Sequence, residues 1–431
     1  MVKIIGAGLA GSEAAWYLAN KGLKVKLYEM RPVRMTPAHV TGNFAELVCS
    51  NSFRSDDPLN AVGLLKEEME LLGSLVMSSG RMHSLPAGSS LAVDRVGFSE
   101  YITEKIKNHP NIEVINEEVK EINPDDYVII ATGPLVSDSL AQFLREKLDQ
   151  DSLHFFDAVA PIIAGDSINM DVAYLKSRYD KGEAAYINCP MTKEEYDKFY
   201  DFLMKAEKVQ PKDFEHNVFE GCMPVEEMAF RGKDTLTFGP LKPVGLEKPD
   251  GTLPYAVVQL RQDDANKTMY NMVGFQTSLK WGDQKALIQM IPGLENAEIL
   301  RYGVIHRNSY IEGPKVLQNG FNVKKYPKWF FAGQVSGVEG YVESAAAGIH
   351  AAINMHQLIT KGEFIPLPKD SMIGAMGKYV SSYHQTFVPM NANFGLLDEI
   401  RAKKQERKQF YHDRAIAALK QYIVEHLSWW M

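Results

Sequence analysis

MVKIIGAGLAGSEAAWYLANKGLKVKLYEM, Met1 to Met30, decides the fold. Val2 to Ile5 is short, apolar and β-branched, as a buried parallel strand should be. Gly6, Gly8 and Gly11 follow as GxGxxG, with Ala7, Leu9 and Ala10 completing the turn. In such a turn the first glycine allows the tight bend, the second lets the backbone approach a pyrophosphate, and the third lets the helix pack close to the strand. The helix that follows turns its free N–H groups and positive dipole end toward phosphates. Gly22 stands where that helix should stop, and Val25 to Tyr28 makes the next strand. Glu29 closes it, roughly twenty residues after the glycines, where a carboxylate can accept hydrogen bonds from ribose hydroxyls. The acid favours a free 2′-hydroxyl, hence NAD or FAD over NADP. A bare GxGxxG also fits an ordinary βα turn; a preceding strand, a following helix and an acid in place make it a dinucleotide site.

Two later segments extend this reading. DDYVIIATGP (Asp125 to Pro134) is a buried strand ending on Gly133. KWFFAGQVSGVEGYVESAAAGIHAA (Lys328 to Ala352) is a strand, a glycine-rich loop carrying Gly333 and Gln334, and a small-residue helix. An early dinucleotide fold completed by a late strand–loop–helix resembles the flavoproteins related to glutathione reductase. In that group the late helix N-terminus lies by the flavin ring and pyrophosphate. The resemblance implies FAD and an α/β fold: a Rossmann-like FAD-binding domain with an inserted α+β domain. No second GxGxxG and no CxxxxC pair occurs, so a disulfide reductase with its own NADPH domain is not expected.

The chain has 431 residues, long for one hydrophobic core, so two domains are the default. The expected division is 1–155 for the first part of the FAD-binding domain, 156–304 for the insertion, and 305–431 for the second part with C-terminal helices. The insertion is read from its alternating stretches, Tyr255 to Leu260 and Met269 to Phe275, and from the turn at Lys248 to Gly251. Pro58 to Met77 suits a helix capped by Asn60, Ser99 to Lys107 another, and Ile112 to Ile115 a strand. Leu396 onward reads as one long or broken helix with RAKKQERK (Arg401 to Lys408) as a solvated face. No run is long enough to span a bilayer and no leader is evident. Cysteines at positions 49, 189 and 222 form no framework and no zinc pattern, so a reduced, cytoplasmic setting and no metal are expected. A net charge of −7 argues against indiscriminate nucleic-acid binding and leaves room for a local basic patch.

Further segments are MRPVRMTPAH (Met30 to His39), FAELVCSNSFRSDDPLNAVGLLKEEM (Phe44 to Met69), FEGCMPVEEMA (Phe219 to Ala229) and LTFGPLKPVGL (Leu236 to Leu246). GVIHRNSYI (Gly303 to Ile311), the FAGQVSGVEGYVESAAAG block and NANFGL (Asn391 to Leu396) complete the set. Together they resemble the folate- and FAD-dependent tRNA (uracil-54-C5)-methyltransferases of bacteria, over essentially the full chain. The FAGQ block alone is also shared with the flavin-dependent tRNA wobble-uridine modification protein. The resemblance implies methylation of uridine 54 in the T-arm of tRNA. 5,10-Methylenetetrahydrofolate is the implied carbon donor, passing its methylene through reduced flavin, and NADPH or NADH is the reductant.

The chemistry needs a nucleophile and a base. Uracil C5 is a poor nucleophile until a thiolate adds to C6 and turns the ring into an enolate; cysteine suits that role. On residue type alone a free cysteine is as well placed in a core. The resemblance implies that Cys222 attacks uracil and that Cys49 is a partner thiol, either proton-transfer agent or protector of the flavin-borne methylene. Cys189 fits no motif and is left structural. His306 reads equally as a satisfied turn histidine; the resemblance sets it against the folate pterin, with Arg307, Asn308 and Tyr341 nearby. Arg231, Lys233, Arg301, Lys324, Lys325, Lys328 and the RAKKQERK run are the candidate phosphate contacts. Two alternatives stay open: the same chemistry on a ribosomal RNA uridine, or an FAD-dependent RNA-binding protein related to the wobble-uridine enzyme.

Overall fold

In a computed structural model the chain is described over residues 1–148, 153–209, 223–403 and 405–427, with backbone alone at 153–157, 306 and 307. Among the described residues a seven-stranded sheet runs in the order β16 (Leu317–Gln318), β17 (Asn322–Val323), β18 (Trp329–Phe331), β7 (Val128–Ile130), β1 (Val2–Ile5), β2 (Val25–Tyr28) and β6 (Ile112–Ile115). The five strands from β18 to β6 are parallel, and β16 and β17 add an antiparallel edge. From β1 the chain moves to β2 on one side and only later reaches β7 on the other. The strand order therefore reverses at β1, and open α/β sheets bind ligands beyond the strand ends at such a point.

Helix α1 (Leu9–Asn20) and the 21-residue α11 (Tyr341–Lys361) pack on this sheet against each other. Their contact is backbone on backbone: a Cβ at Gly348 would lie 2.2 Å from the Ala10 carbonyl oxygen. The small residues read in the sequence are thus what lets the late helix come beside the early one. Around them stand α2 (Ala61–Leu71), α3 (Leu75–Met82), α4 (Arg95–Lys107), α5 (Asp138–Leu148), α10 (Gly313–Val316), α12 (Met372–Ser381) and α13 (Arg407–His426). A three-stranded sheet of β3 (Ser52–Ser55), β5 (Ser90–Val93) and β4 (Ser84–Leu85) lies beside them.

A second sheet has the order β10 (Tyr174–Leu175), β11 (Tyr186–Met191), β12 (Ala256–Gln262), β13 (Met269–Met272), β9 (Ile162–Ala164) and β14 (Ile299–Arg301). All its pairings are antiparallel. With α6 (Lys193–Leu203), α7 (Val225–Phe230), α8 (Thr235–Phe238) and α9 (Trp281–Gln289) it encloses a separate apolar core around Cys189, Phe199, Val258, Phe275 and Leu287. The chain enters this region through β8 (Leu153–Ala158) and leaves through β15 (Ile305–Tyr310), which pair antiparallel. On β12 apolar Val258 and Leu260 alternate with polar Gln259 and Arg261, yet all seven residues are buried. The polar face is covered because Gln259 bonds to Asn188 and Arg261 bonds to Asn51 of the first region.

Two expectations need correction. The single helix over Pro58 to Met77 is two helices, broken where Gly73 adopts φ +77°. A new start is favoured there because the buried Glu13 carboxylate accepts from the N–H groups of Leu75 and Val76 at 3.1 and 2.8 Å. Asn60 occupies the cap position of α2, but its side chain donates to Ser55 Oγ at 2.9 Å instead. RAKKQERK is mostly not a helix face: α13 begins at Arg407, and residue 404 lies outside the described residues. Among the described residues no helix is long and apolar enough to cross a membrane.

Replacing Gly348 by Val forces α1 and α11 apart. A loss of about 1–3 kcal/mol or more is expected, read as a lowered thermal midpoint by calorimetry; an unchanged midpoint contradicts the contact.

Candidate functional site

A cleft of about 1050 Å³, the open solvent at its mouth included, lies beyond the carboxyl ends of β1, β2 and β7, lined among others by Gly6, Gly8, Glu29, Gly133, Gly333 and Tyr341. The glycines divide its labour. Gly6 has φ +98°, and a Cβ there would lie 2.5 Å from the Ala131 carbonyl oxygen. A Cβ on Gly11 would lie 1.8 Å from the Gly6 carbonyl, so this residue closes the helix onto the turn. Gly8 is different, because no heavy atom lies within 4 Å of the place its Cβ would take. Its bare backbone faces open cleft. Gly8 and Gly340 are the N-cap residues of α1 and α11, and neither makes a side-chain cap. The N-terminus of α1 thus presents unsatisfied N–H groups and a positive dipole end to the cleft, as an anion-binding site requires. Helix α11 opens on the same space through Tyr341 and Ser344 but carries the buried Glu343 carboxylate in its first turn. The Thr132 hydroxyl also lines the cleft, buried and without a hydrogen-bond partner. A cleft with a glycine turn at a helix N-terminus, a ribose-side acid and an unsatisfied hydroxyl fits a dinucleotide cofactor of the FAD type.

Glu29 is 6% exposed and already engaged. One oxygen accepts from the Ala7 N–H at 2.9 Å; the other accepts from the backbone N–H and Nε of Arg31, both at 3.0 Å. Arg31 also reaches the Glu46 carboxylate at 3.1 Å. Burial alone would raise the Glu29 carboxyl, but the charge and hydrogen bonds of Arg31 outweigh it and hold it below the usual carboxylate range. Glu29 therefore stands ionised at the cleft wall. His39 lines the same wall; burial, then the charge of Arg31, pushes it down to about 4, so it is neutral near pH 7.

Cys49 sits in a bend before β3, half-buried, and its N–H donates to the Tyr341 hydroxyl at 2.8 Å. Tyr341 is the first residue of α11 and, with Val48, lines the cleft. The Cys49 loop is thereby tied to the helix end at which the cofactor cleft closes.

The sequence-derived residues fall into three groups. Gly6, Gly8, Leu9, Ala10, Glu29, Gly133, Gly333, Gln334 and Tyr341 share the cleft wall. Ala7 and Gly11 stand one layer behind, and Cys49 one residue beyond Val48. Asn308 is buried in β15, away from the lining; the side chains of His306 and Arg307, and the whole of Cys222, lie outside the described residues. Cys189 is fully buried in β11, and burial pushes its thiol up to about 12, which suits a structural role. Of the phosphate candidates, Arg301 is committed to the carbonyls of Val48 and Ala38 at 2.9 and 3.2 Å. Lys233 pairs with Asp197 at 2.8 Å.

Sequence reasoning missed Arg31 and Glu46, although Arg31 stands only two residues past the acid. It also missed an exposed stack: the rings of Trp281 and Tyr302 lie 5.2 Å apart at 17°, with Trp281 62% exposed. Among the described residues no group of three or more His, Cys, Asp or Glu is placed to hold a metal ion.

Fold and cleft together are those of a Rossmann-type dinucleotide-binding protein. Residues 1–363 match the family model described as glucose inhibited division protein A, and the chain belongs to that family. A relative from Acholeplasma laidlawii, 72% identical over 98% of this chain and 99% of its own, is named methylenetetrahydrofolate--tRNA-(uracil-5-)-methyltransferase TrmFO. A Bacillus subtilis relative with the same name is 58% identical over 97% of this chain and 98% of its own. The fold is also that of Aquifex aeolicus GidA, with a TM-score of 0.72 at 19% identity, covering 98% of this chain and 73% of that one.

The space at Gly8 gives a clean test. Gly8→Val should fold, losing no more than the ~1 kcal/mol of a poorer N-cap, since nothing in the chain occupies that position. FAD affinity, measured by flavin fluorescence titration, should fall at least about tenfold. Equal affinity would remove Gly8 from the binding surface.

Proposed function

We propose that the chain is a folate- and FAD-dependent methyltransferase that forms 5-methyluridine at position 54 in the T-arm of tRNA. Methylenetetrahydrofolate is the carbon donor and NAD(P)H the reductant. The observation that carries the reading is the match at 72% identity over 98% of this chain to a relative named as a methylenetetrahydrofolate--tRNA-(uracil-5-)-methyltransferase. The cleft between α1 and α11, whose donor set fits FAD, adds independent support.

When bound, FAD supplies the redox and one-carbon relay chemistry that side chains cannot. The rest falls to the chain. The N–H groups at the start of α1, with those of α11, would hold the pyrophosphate, and Glu29, kept ionised by Arg31, would accept from the ribose. Cys222, as thiolate, adds to uracil C6: the S–C6 bond forms and the C5=C6 electron pair moves into an enolate, making C5 nucleophilic. Once C5 has taken the one-carbon unit, loss of the C5 proton to a base and expulsion of the thiolate restore the ring double bond, and the two electrons that take methylene to methyl come ultimately from NAD(P)H. Cys49, tied to Tyr341 at the cleft, serves as partner thiol, accepting a proton or guarding the reacting face. The base must leave its stack to meet these groups. The exposed Trp281–Tyr302 stack offers a flat surface on which an unpaired base can lie.

Two measurements test this. Purified protein, unmodified tRNA, methylenetetrahydrofolate and NAD(P)H should yield 5-methyluridine at position 54, and omission of any one should abolish it. Labelled S-adenosylmethionine serving in place of the folate would sink the reading. Cys222→Ser should abolish methylation while leaving FAD bound; unchanged turnover would remove Cys222 from the chemistry.

A further inference from the structure

Three guanidinium groups converge on the loop that carries Cys49. Arg95, at the start of α4, donates to the carbonyls of Leu47 and Cys49, the latter at 2.9 Å. Arg301, at the end of β14, donates to the Val48 carbonyl at 2.9 Å. Arg261, on β12, donates to Ser50 Oγ at 2.6 Å and to Asn51 Oδ1 at 2.8 Å. Every residue from Leu47 to Asn51 thus accepts a hydrogen bond from one of three arginines, two of which come from the second sheet.

The charges do not balance within the cluster. Arg95 is answered by Asp263 in a two-point ion pair, both contacts at 2.9 Å. Glu46 acts on Arg301 but is bonded to Arg31. The hydrogen bonds that Arg261 makes to the loop go to neutral oxygens, although it is 6% exposed. Burial draws its guanidinium below the usual range, with Tyr186, Asp263 and Cys49 acting the other way and Arg95 adding to the strain. Burial and the charge of Arg95 act likewise on Arg301, opposed by Tyr341, Cys49 and Glu46. A buried cation without its own carboxylate is costly, and an anion at Cys49 would relieve all three arginines at once.

We infer that Arg261 and Arg301 are positioning residues that hold the Cys49 loop against Tyr341 and keep the Cys49 thiol in its thiolate form. The inference rests on the reading of Cys49 as the partner thiol. It narrows that role, because a thiolate can accept a proton or meet a carbon electrophile, whereas a neutral thiol does both poorly. It also makes the second sheet part of the cysteine site: without β12 and β14 the loop would lose two of its three cationic supports.

The test is the pH dependence of Cys49 alkylation by iodoacetamide in the full-length protein, resolved by peptide mass spectrometry so that Cys222 and Cys189 are followed separately. The charged and titratable groups facing the loop and its arginines are Arg95, Arg261, Arg301, Asp263, Tyr341 and Glu46, with Tyr186 beside Arg261 and His39 beside Arg301. Between pH 5 and 9 the Cys49 profile should inflect clearly below the ~8.5 of a free thiol. In Arg261→Gln and in Arg301→Gln the inflection should move up by about one pH unit, slowing alkylation at pH 6 by roughly tenfold, and Arg261→Lys should restore part of the shift. A purely structural role would change thermal stability without moving the inflection. An inflection in the parent at or above that of a free thiol overturns the inference. So does an unmoved inflection in either glutamine variant that keeps the parent's circular dichroism. Because alkylation needs neither folate nor RNA, a normal profile in a protein that forms no 5-methyluridine would count against the proposed function instead.

Discussion

The close approach of α11 to α1 is the constraint on which the site depends. It exists only because Gly348 has no side chain where the Ala10 carbonyl stands. Helices normally keep 8–10 Å between axes; a glycine against a backbone carbonyl permits the tight end of that range. With the two helices side by side, their uncapped N-termini open on the same cleft at the strand-order reversal of the parallel sheet. An anion there meets the positive end of α1 directly, while at α11 the buried Glu343 in the first turn offsets the dipole. The same approach carries Tyr341, the first residue of α11, to the Cys49 loop. One backbone contact therefore sets both the cofactor cleft and the thiol beside it.

Around that geometry runs a chain of buried charge compensation. Ala7 and Arg31 hold Glu29, Arg31 links it to Glu46, and Glu46 in turn accepts from the N–H groups of Val40 and Thr41 at 2.9 and 3.1 Å. The segment between the acid and the cysteine is thus drawn over the cleft by carboxylates that are themselves paired. Beyond it the arginines of α4, β12 and β14 take over. The two regions of the chain meet through polar groups with fixed directions, which sets the register of the cysteine loop more tightly than an apolar contact would.

Much of the first region was legible because its signals are local. Val2–Ile5, Val25–Tyr28 and Ile112–Ile115 appear as strands with the expected bounds, and the late strand–loop–helix lies where its glycines indicate. What escaped was long-range. Arg261 and Asn51 are 210 residues apart, and alternating polar residues on β12 look like a solvent face until the other region covers them. The break at Gly73 depends on Glu13, a buried acid on another helix that no local pattern reveals. Arg31 was visible in MRPVRMTPAH, but only its bonds to two carboxylates explain why an arginine belongs there. Cys49 shows the same division. Its motif was readable, while the arginines that surround it come from distant segments.

FAD in the cleft between α1 and α11 is what the rest of the site is organised around. The most direct measurement is the visible absorption spectrum of the purified protein, followed by chromatography of the chromophore released on denaturation. A yellow protein releasing FAD, approaching one per chain after reconstitution, is the predicted result. A colourless protein that takes up no added FAD would contradict the account at its root.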